Sequence, residues 1–195
     1  MRGIDLFAGA GGNTTGGKMA GLRMLWAANH NPLVVKYHEL NHPEVAHKCQ
    51  DLHQADWSLV PEHDILLASP CCQGHSRAAG TYKWDHISNR VLATQKRVTN
   101  GRKQFGEVFL DAAYGSARSG RSIDNPIGTI TTINKHSLVI GDLIRPLSLR
   151  ELAAAQTFDE CYQWPASATA TKMMIGNAVP PVMAKEVISA VLKAA

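Results

Sequence analysis

Two adjacent cysteines, Cys71 and Cys72, lie in a segment whose composition suits nucleophilic chemistry. The segment reads Ser69-Pro70-Cys71-Cys72-Gln73-Gly74-His75-Ser76 and follows an apolar run at 65–68, which predicts a buried strand. Pro70 and Gly74 predict that the strand gives way to a loop. Open α/β sheets carry their reactive groups at the carboxyl ends of strands, so a thiol here is a candidate nucleophile. The alternative is a pair of small buried cysteines in a turn.

A glycine-rich segment near the N-terminus is the second candidate for chemistry. Gly9-Ala10-Gly11-Gly12 follows an apolar stretch at 3–7 and precedes a predicted helix, with Asn13 or Thr14 as its N-cap. Residues without side chains let the backbone approach a nucleotide-like ligand closely. The dinucleotide pattern G-x-G-x-x-G is not met, because Thr14 takes the third glycine position. This disfavours a nicotinamide- or flavin-dependent oxidoreductase.

The elements that would position these two segments alternate between strand and helix. Strands are predicted at 3–7, 23–28 and 64–68, and a shorter one ends near Asp51. Helices are predicted after the glycines and from Pro32 onward. Strand–helix alternation of this kind predicts an α/β fold with a doubly wound, mostly parallel sheet.

The second half of the chain has a different pattern. Residues 77–125 show little periodicity, which predicts a loop-rich, partly β region, and residues 129–133 predict a strand. Ser148 and Glu151 form a capping box at the start of a predicted helix. A last helix is predicted to begin at Pro180 or Pro181, because proline is tolerated in a first helical turn.

The composition is that of an ordinary water-soluble domain. The chain has 195 residues, of which 45% are hydrophobic and 18% charged, enough for one domain or one domain with a small appendage. We expect no membrane span and no signal peptide, because no apolar run is long enough and the first residues lead directly into a strand. Four cysteines, two of them adjacent, do not suggest a disulfide framework, so a cytoplasmic, reducing location is expected.

Positive charge is concentrated in the middle of the chain. Residues 77–121 contain nine Lys or Arg and three Asp or Glu, although the net charge of the whole chain is only +4. A basic segment inserted into a near-neutral domain suits contact with a phosphate backbone. The alternative is a solvated charged surface.

Four segments in order carry a resemblance to a known family. Residues 5–12, Asp-Leu-Phe-Ala-Gly-Ala-Gly-Gly, resemble the first motif of the cytosine-C5 DNA methyltransferases, and Pro70-Cys71-Cys72-Gln73 resembles their catalytic loop. Residues 145–158 resemble the ninth motif, and residues 176–181, Gly-Asn-Ala-Val-Pro-Pro, the tenth. The resemblance covers residues 1–76 and about 120–195, and implies a Rossmann-like sheet that binds S-adenosylmethionine (SAM).

The resemblance also implies roles for individual residues. Cys72, beside Gln73, would be the nucleophile, with Cys71 in the place of a second proline. Asn29 stands where most members have an acid that grips the ribose, so its hydrogen bonds to the ribose would be neutral ones. The residues implied at the SAM site are Phe7, Ala8, Gly9, Gly11, Gly12, Asn29, His30, Asp51, Leu52, Pro70, Asn177 and Val179.

Double-stranded DNA is the partner that the resemblance implies, in a restriction-modification setting. The target cytosine would have to leave the duplex to reach the cysteine. Methylation of tRNA within the same superfamily stays an alternative. The residues expected at the DNA are Ser76, Arg77, Arg97, Arg102, Arg121 and Thr131.

Parts of the family pattern are missing. No Glu-Asn-Val and no Gln-x-Arg-x-Arg motif occurs, and residues 77–81 resemble a junction where the middle of the domain has been lost. Glu107 is the one glutamate between Cys72 and Glu151 that could replace the missing acid. We therefore expect impaired activity. The rival hypothesis is a non-catalytic remnant that binds SAM or DNA.

This interpretation divides the chain into three parts: residues 1–80 with the SAM site and the catalytic loop, 81–133 as a remnant of a DNA-recognition region, and 134–195 with the closing helices. If strands after 64–68 are lost, that strand becomes an exposed edge open to self-association.

We expect no metal. A zinc site that combines Cys71, Cys72 and His75 with His42, His47, His53 or His63 is an alternative whose spacing matches no common ligand pattern.

Overall fold

Two four-stranded sheets form the fold in the computed structural model, which describes residues 1–70, 83–114 and 117–194. The first sheet contains β1 (Arg2–Leu6), β2 (Arg23–Asn29), β3 (Ala46–Cys49) and β4 (Ile65–Ala68). All its strands are parallel and their order is β3-β2-β1-β4. The predicted α/β fold with a parallel sheet is thus confirmed.

Two helices make the first crossovers between these strands. They are α1 (Gly12–Met19) and α2 (Pro32–Asn41), and Asn31 caps α2 by accepting a hydrogen bond from the Leu33 amide at 3.0 Å. The predicted N-cap of α1 at Asn13 or Thr14 is wrong. Gly11 is the N-cap, with φ of 85° and no side-chain bond. The chain needs this left-handed turn to leave β1, and only glycine adopts it without strain.

The second sheet is antiparallel, and two of its four strands lie in the region 77–125 that the sequence predicts to be loop-rich and partly β. It contains β5 (Asp85–His86), β6 (Val108–Ala112), β7 (His136–Ile140) and β8 (Leu143–Pro146), in the order β5-β8-β7-β6. A 14-residue helix, α3 (Leu92–Phe105), packs on β6. The sequence reading misses α3 because most of its residues are polar, and of its apolar residues Val98 alone is fully buried.

The strand predicted at 129–133 is also wrong. These residues form no strand, and the β-structure begins at His136 instead. Residues 131 and 132 press against the end of α5 (Ala168–Gly176), where a Cβ on Gly176 would lie 2.3 Å from the Thr132 nitrogen. Ile130 of this stretch therefore packs against the core that includes Met174 and Ile175 of α5, and the stretch does not pair in a sheet.

The two predicted C-terminal helix starts are confirmed. Helix α4 (Leu149–Ala155) begins with the capping box, in which the Ser148 side chain accepts from the Glu151 amide at 3.2 Å and the Glu151 carboxylate accepts from the Ser148 amide at 2.7 Å. Helix α6 (Pro181–Ala194) begins at a proline. Its first turns return to α1 at the other end of the chain.

Close approach between α1 and α6 depends on glycine. A Cβ on Gly16 would lie 2.5 Å from the Ala184 Cβ and 2.6 Å from the Pro181 carbonyl oxygen. A Cβ on Gly12 would lie only 1.8 Å from the Val179 carbonyl oxygen. The missing side chains thus let α6 and the segment just before it lie directly on α1.

Residues 168–194 correct the expectation that no stretch reaches membrane-spanning length. By length and a mean hydropathy of 1.2 the stretch Ala168–Ala194 matches a span. Two observations weaken that reading: residues 177–180 separate it into α5 and α6, and α6 packs on α1. Length and apolar composition alone are shared by many core helices.

Strand β4 lies at the outside of the first sheet. Within the part of the chain that the structure describes, it pairs with β1 and with no further strand. Its residues are apolar and Leu66 is half exposed. Self-association through this edge stays a prediction.

Replacing Gly16 with alanine tests the contact between α1 and α6. Alanine favours a helix over glycine by about 1 kcal/mol, but overpacking typically costs about 1–3 kcal/mol. We expect Gly16→Ala to lower the free energy of unfolding in urea. Gly9→Ala is the control, because the nearest atom to its Cβ would be 4.0 Å away. A Gly16→Ala protein as stable as the control would contradict this packing.

Candidate functional site

A cleft opens at the carboxyl edge of the parallel sheet, where the four strands end together. The ends of β1 and β4 meet there, since Leu6 pairs with Ala68. The cleft is narrow, with a cavity volume of about 20 Å³. Its lining residues come from the first turn, the end of β4 and the approach to α6: Asp5, Phe7, Gly9, Ala10, Gly12, Asn13, Ser69, Asn177, Ala178 and Val179.

Five of the residues expected at a cofactor meet in this cleft: Phe7, Gly9, Gly12, Asn177 and Val179. They come from the two ends of the chain, so the fold unites segments separated by about 165 residues of sequence. Phe7 has φ of 56°, a strained conformation for a bulky residue that recurs at functional sites. Its side chain remains partly exposed, which leaves the ring available to a ligand.

The carboxyl group of Asp5 lies at the floor of the cleft. Thr14 Oγ1 donates to one carboxyl oxygen at 2.9 Å, and Asn13 Nδ2 lies 3.4 Å from the other. Burial raises the pKa of Asp5 to about 7, although hydrogen bonds from Thr14 and Asn13 oppose the shift. Asn13 also donates to Ser69 Oγ at 2.8 Å, which ties the end of β1 to the segment that follows β4.

Sequence reasoning did not assign Asp5, Asn13 and Ser69 to the site. Asp5 and Ser69 stand inside the motifs themselves, whereas the sequence predicts Asn13 only as a helix cap. The signal that could have found Asp5 is a carboxylate inside an otherwise apolar central strand, since such a group is rarely buried without a partner.

The other expected cofactor residues surround the cleft at the same sheet edge. Ala8 is buried behind the turn and Gly11 forms it. Asn29 Nδ2 donates to the Ala8 carbonyl oxygen at 3.2 Å, and Asn29 Oδ1 accepts from the Asn31 amide at 2.9 Å. The Asn29 amide thus braces the first turn, which limits what it can offer to a ribose.

Strands β2 and β3 end beside each other near this turn. The Gln50 amide donates to the Asn29 carbonyl oxygen at 3.1 Å, so Asp51 and Leu52 follow β3 at the edge where β2 ends. His30 and Asp51 are exposed there, and Leu52 packs partly against the core. These three residues do not line the cleft as it stands.

Of the predicted catalytic segment, the structure describes only Ser69 and Pro70. Ser69 lines the cleft and Pro70 is exposed. Cys71, Cys72, Gln73, Ser76 and Arg77 lie outside the described residues.

A metal site receives no geometric support from the described part of the chain. No group of three His, Cys, Asp or Glu residues there could hold a metal ion. Cys49 and Cys161 are free and exposed.

Two of the arginines expected at DNA make ion pairs within the protein. The Arg97 guanidinium makes two hydrogen bonds of 2.9 Å to Asp111, whose side chain is only 3% exposed. Arg102 donates to the Gly141 carbonyl oxygen at 2.6 Å and to Asp142 at 2.9 Å.

The candidate replacement acid belongs to the same surface. Glu107 lies 3.4 Å from the Arg102 guanidinium, and its carbonyl oxygen accepts from the Gly141 amide. None of these residues lines the cleft.

Other basic residues face a shallow depression on the second sheet. Arg118 and Arg121 are exposed and line it together with Tyr114, and the Lys135 Nζ lies 5.5 Å from the Tyr114 ring centre. Thr131, also expected at DNA, donates its hydroxyl to the Ile133 carbonyl oxygen at 2.8 Å. Arg121, expected at DNA, is thus exposed at this depression, whereas Arg97 is bound to Asp111.

A parallel α/β sheet with a glycine turn over a cleft is typical of nucleotide-binding folds, and solved methyltransferases share this fold. A DNA modification methyltransferase encoded within an E. coli prophage superposes with a TM-score of 0.66 at 12% identity, covering 99% of both chains. Spodoptera frugiperda DNMT2, solved as a mutant, gives 0.62 at 11% identity, over 98% of this chain and 99% of that one. Such low identities show the fold alone.

Sequence comparison identifies the family. The C-5 cytosine-specific DNA methylase family matches residues 1–103 and 86–193, and the chain belongs to this family. Type II methyltransferase M.AgeI of Thalassovita gelatinovora is 31% identical over 170 residues, which are 83% of this chain and 36% of the relative. Type II methyltransferase M.NlaX of Neisseria lactamica is 36% identical over 77 residues, 38% of this chain and 24% of the relative. The matches thus span about a third or less of these relatives.

Replacing Arg97 separates a structural role from contact with DNA. Removing one partner of a buried ion pair typically costs about 3–5 kcal/mol, so we expect Arg97→Met to lower the free energy of unfolding strongly. Lys96→Met, at the exposed preceding residue, should change it by less than about 0.5 kcal/mol. Chemical denaturation of both variants provides the measurement. A fully stable Arg97→Met protein with weakened DNA binding would instead show that Arg97 contacts DNA.

Proposed function

We propose that the chain binds SAM in the cleft and uses Cys72 to methylate cytosine at C5 in double-stranded DNA. The observation that carries the proposal is the meeting of first-motif and tenth-motif residues around one cleft. Family membership supports the reaction class.

The residues of the cleft fit a nucleotide-like methyl donor. Gly9 and Gly12 present bare backbone, and the partly exposed Phe7 ring offers a flat apolar face for an adenine. When it is ionised, the Asp5 carboxyl group favours a positively charged ligand in the cleft. Asp51 and Leu52, at the same sheet edge, are proposed to reach the adenine when the donor is bound.

Cys72 is the proposed nucleophile. Its thiolate adds to C6 of the cytosine, which makes C5 nucleophilic. When bound, the donor supplies the methyl group that C5 accepts. Loss of the C5 proton to a base then expels the Cys72 thiolate from C6 and restores the ring. An ordinary thiol is mostly protonated near neutral pH, so the surroundings of Cys72 must lower its pKa.

DNA contact is proposed for the basic depression around Tyr114. Arg118, Arg121 and Lys135 surround an aromatic ring there. Arginine and lysine neutralise phosphates, and the ring offers a surface for an unstacked base. Ser76 and Arg77 are proposed to contact the strand that carries the flipped cytosine.

Slow chemistry is expected from this chain alone. In the described part of the chain, Asp5 is the one carboxylic acid that lines the cleft, and it bonds to Thr14 and Asn13. Loss of a general acid typically costs about 10²–10⁴-fold in rate. The chain is therefore proposed to form the covalent adduct slowly unless another group protonates the base.

SAM binding is tested by calorimetry on the wild-type chain and on Phe7→Ala. Stacking of a base on an aromatic ring is worth about 1–3 kcal/mol, so the variant should bind more weakly by that amount. Trp57→Ala is the matched control, because Trp57 is an exposed aromatic residue that does not line the cleft. A folded wild-type chain that gives no heat with millimolar SAM would refute the donor site.

The nucleophile is tested by trapping. Duplex DNA containing 5-fluorocytosine should accumulate a covalent complex in the presence of SAM, because fluorine does not leave as a proton does. Mass spectrometry should map the adduct to Cys72, and Cys72→Ser should abolish it whereas Cys71→Ser should not. An adduct that depends on Cys71 alone would overturn the assignment, and a SAM-binding protein that forms no adduct would favour the non-catalytic remnant.

A further inference from the structure

Four polar side chains form a continuous hydrogen-bonded chain from the cleft to the protein surface. Thr14 Oγ1 lies 2.9 Å from Asp5 Oδ2 and 3.1 Å from His38 Nε2. His38 Nδ1 in turn lies 2.7 Å from His47 Nε2. Asp5, Thr14 and His38 are buried, whereas His47 on β3 is partly exposed. We call Asp5, Thr14, His38 and His47 the buried polar chain; the proposed reaction uses none of its last three members.

The buried polar chain has two self-consistent hydrogen-bond directions. When Asp5 is ionised, the Thr14 hydroxyl donates to it, His38 Nε2–H donates to Thr14, and His47 Nε2–H donates to His38. When Asp5 is protonated, every bond reverses and His38 carries its proton on Nδ1. Since each neutral imidazole has one donor and one acceptor, the His38 tautomer reports the charge of Asp5.

We propose that the buried polar chain is a proton relay, which releases a proton at His47 when a cationic ligand occupies the cleft. The ligand part of this inference rests on the proposed SAM site. SAM carries a sulfonium charge, and a cation beside a carboxyl group favours its ionised form. Within the described residues, the hydrogen-bond donors to Asp5 are the neutral groups of Thr14 and Asn13, so a bound cation would bring the first positive charge into direct contact with it.

The transfer balances along the buried polar chain. The Asp5 proton moves to the Thr14 oxygen as the Thr14 hydroxyl proton moves to His38 Nε2. The His38 Nδ1 proton then moves to His47 Nε2, and the resulting imidazolium loses a proton to water. Each intermediate group gains one proton and gives up one, so the net change is one proton from Asp5 to solvent.

Burial sets the starting state of the relay. It raises the pKa of Asp5 to about 7, so that Asp5 still carries a proton in part of the molecules at neutral pH, and it lowers the pKa values of His38 and His47, so that these imidazoles do not retain a proton that the bound cation displaces from Asp5. Other titratable groups face the relay from the neighbouring elements and would modulate it. They are Tyr162 near Asp5, His42 and Lys18 near His38, and Glu39 and Glu44 near His47.

The first test needs no ligand. Nitrogen-15 NMR of histidine-labelled protein from pH 5.5 to 8.5 should show neutral His38 change from the Nδ1–H to the Nε2–H tautomer, with a midpoint near the Asp5 pKa of about 7. Asp5→Asn mimics the protonated acid and should hold the Nδ1–H tautomer throughout. One unchanging tautomer in the wild type, or the same change in Asp5→Asn, would overturn the relay.

Thr14 and Thr15 provide a matched pair for the same measurement. Thr14→Val removes the link in the chain and should abolish the tautomer change. Thr15→Val should preserve it, because the Thr15 hydroxyl lies 3.4 Å from His42 Nε2 and belongs to a separate branch. If Thr14→Val does not fold, the Asp5→Asn result decides.

Calorimetry then tests the coupling to the ligand. SAM titrations at pH 7 should give different apparent binding enthalpies in phosphate and in Tris. The difference should correspond to about half a proton released for each SAM bound by the wild type, and to none for Asp5→Asn. Binding without proton release would overturn the coupling. If SAM does not bind while the His38 tautomer still titrates, the relay is supported and the proposed SAM site is contradicted.

Discussion

The contact of α1 with the Val179 carbonyl group is the constraint on which the candidate site depends. A Cβ on Gly12 would lie 1.8 Å from that oxygen, so any side chain there would push the two ends of the chain apart. Gly16 extends the same contact to Pro181 and Ala184 one turn later. Because Phe7 and Asn177 are held by these opposite ends, the cleft exists only while the backbone surfaces touch. Within the turn at residues 9–12, Gly12 thus permits the close packing and Gly9 leaves the cleft open to a ligand.

The second requirement is a way to bury Asp5. A carboxylate in a central strand loses its hydration, and its neutral donors from Thr14 and Asn13 restore only part of the lost stabilisation. One consequence is a carboxyl group that changes charge near neutral pH rather than near pH 4. Another is that Asn13 spans Asp5 and Ser69, so the floor of the cleft is bonded to the residue from which the cysteine segment departs.

Sequence alone predicts the parallel sheet well and the second sheet poorly, for a physical reason. Buried parallel strands are continuous apolar runs, and the glycine turn, the capping box and the proline start of α6 each leave a local signature. Helix α3 leaves almost none, because its stability comes from Val98 against Phe109 and from the Arg97–Asp111 pair, which are contacts distant in sequence. The same limit applies to function: a count of basic residues cannot distinguish Arg97, which is bound to Asp111, from exposed Arg121.

The contact at Gly176 connects the two halves of the proposed activity. Residues 131 and 132, which lead into β7, press on Gly176 so closely that a Cβ there would lie 2.3 Å from the Thr132 nitrogen. The next residue, Asn177, lines the cleft. The basic depression around Tyr114 and the cleft are therefore connected through the segment 129–132, because the Tyr114 hydroxyl donates to the Thr129 carbonyl oxygen. A DNA backbone held at Arg121 would thus be connected to the proposed methyl-donor site by direct packing contacts.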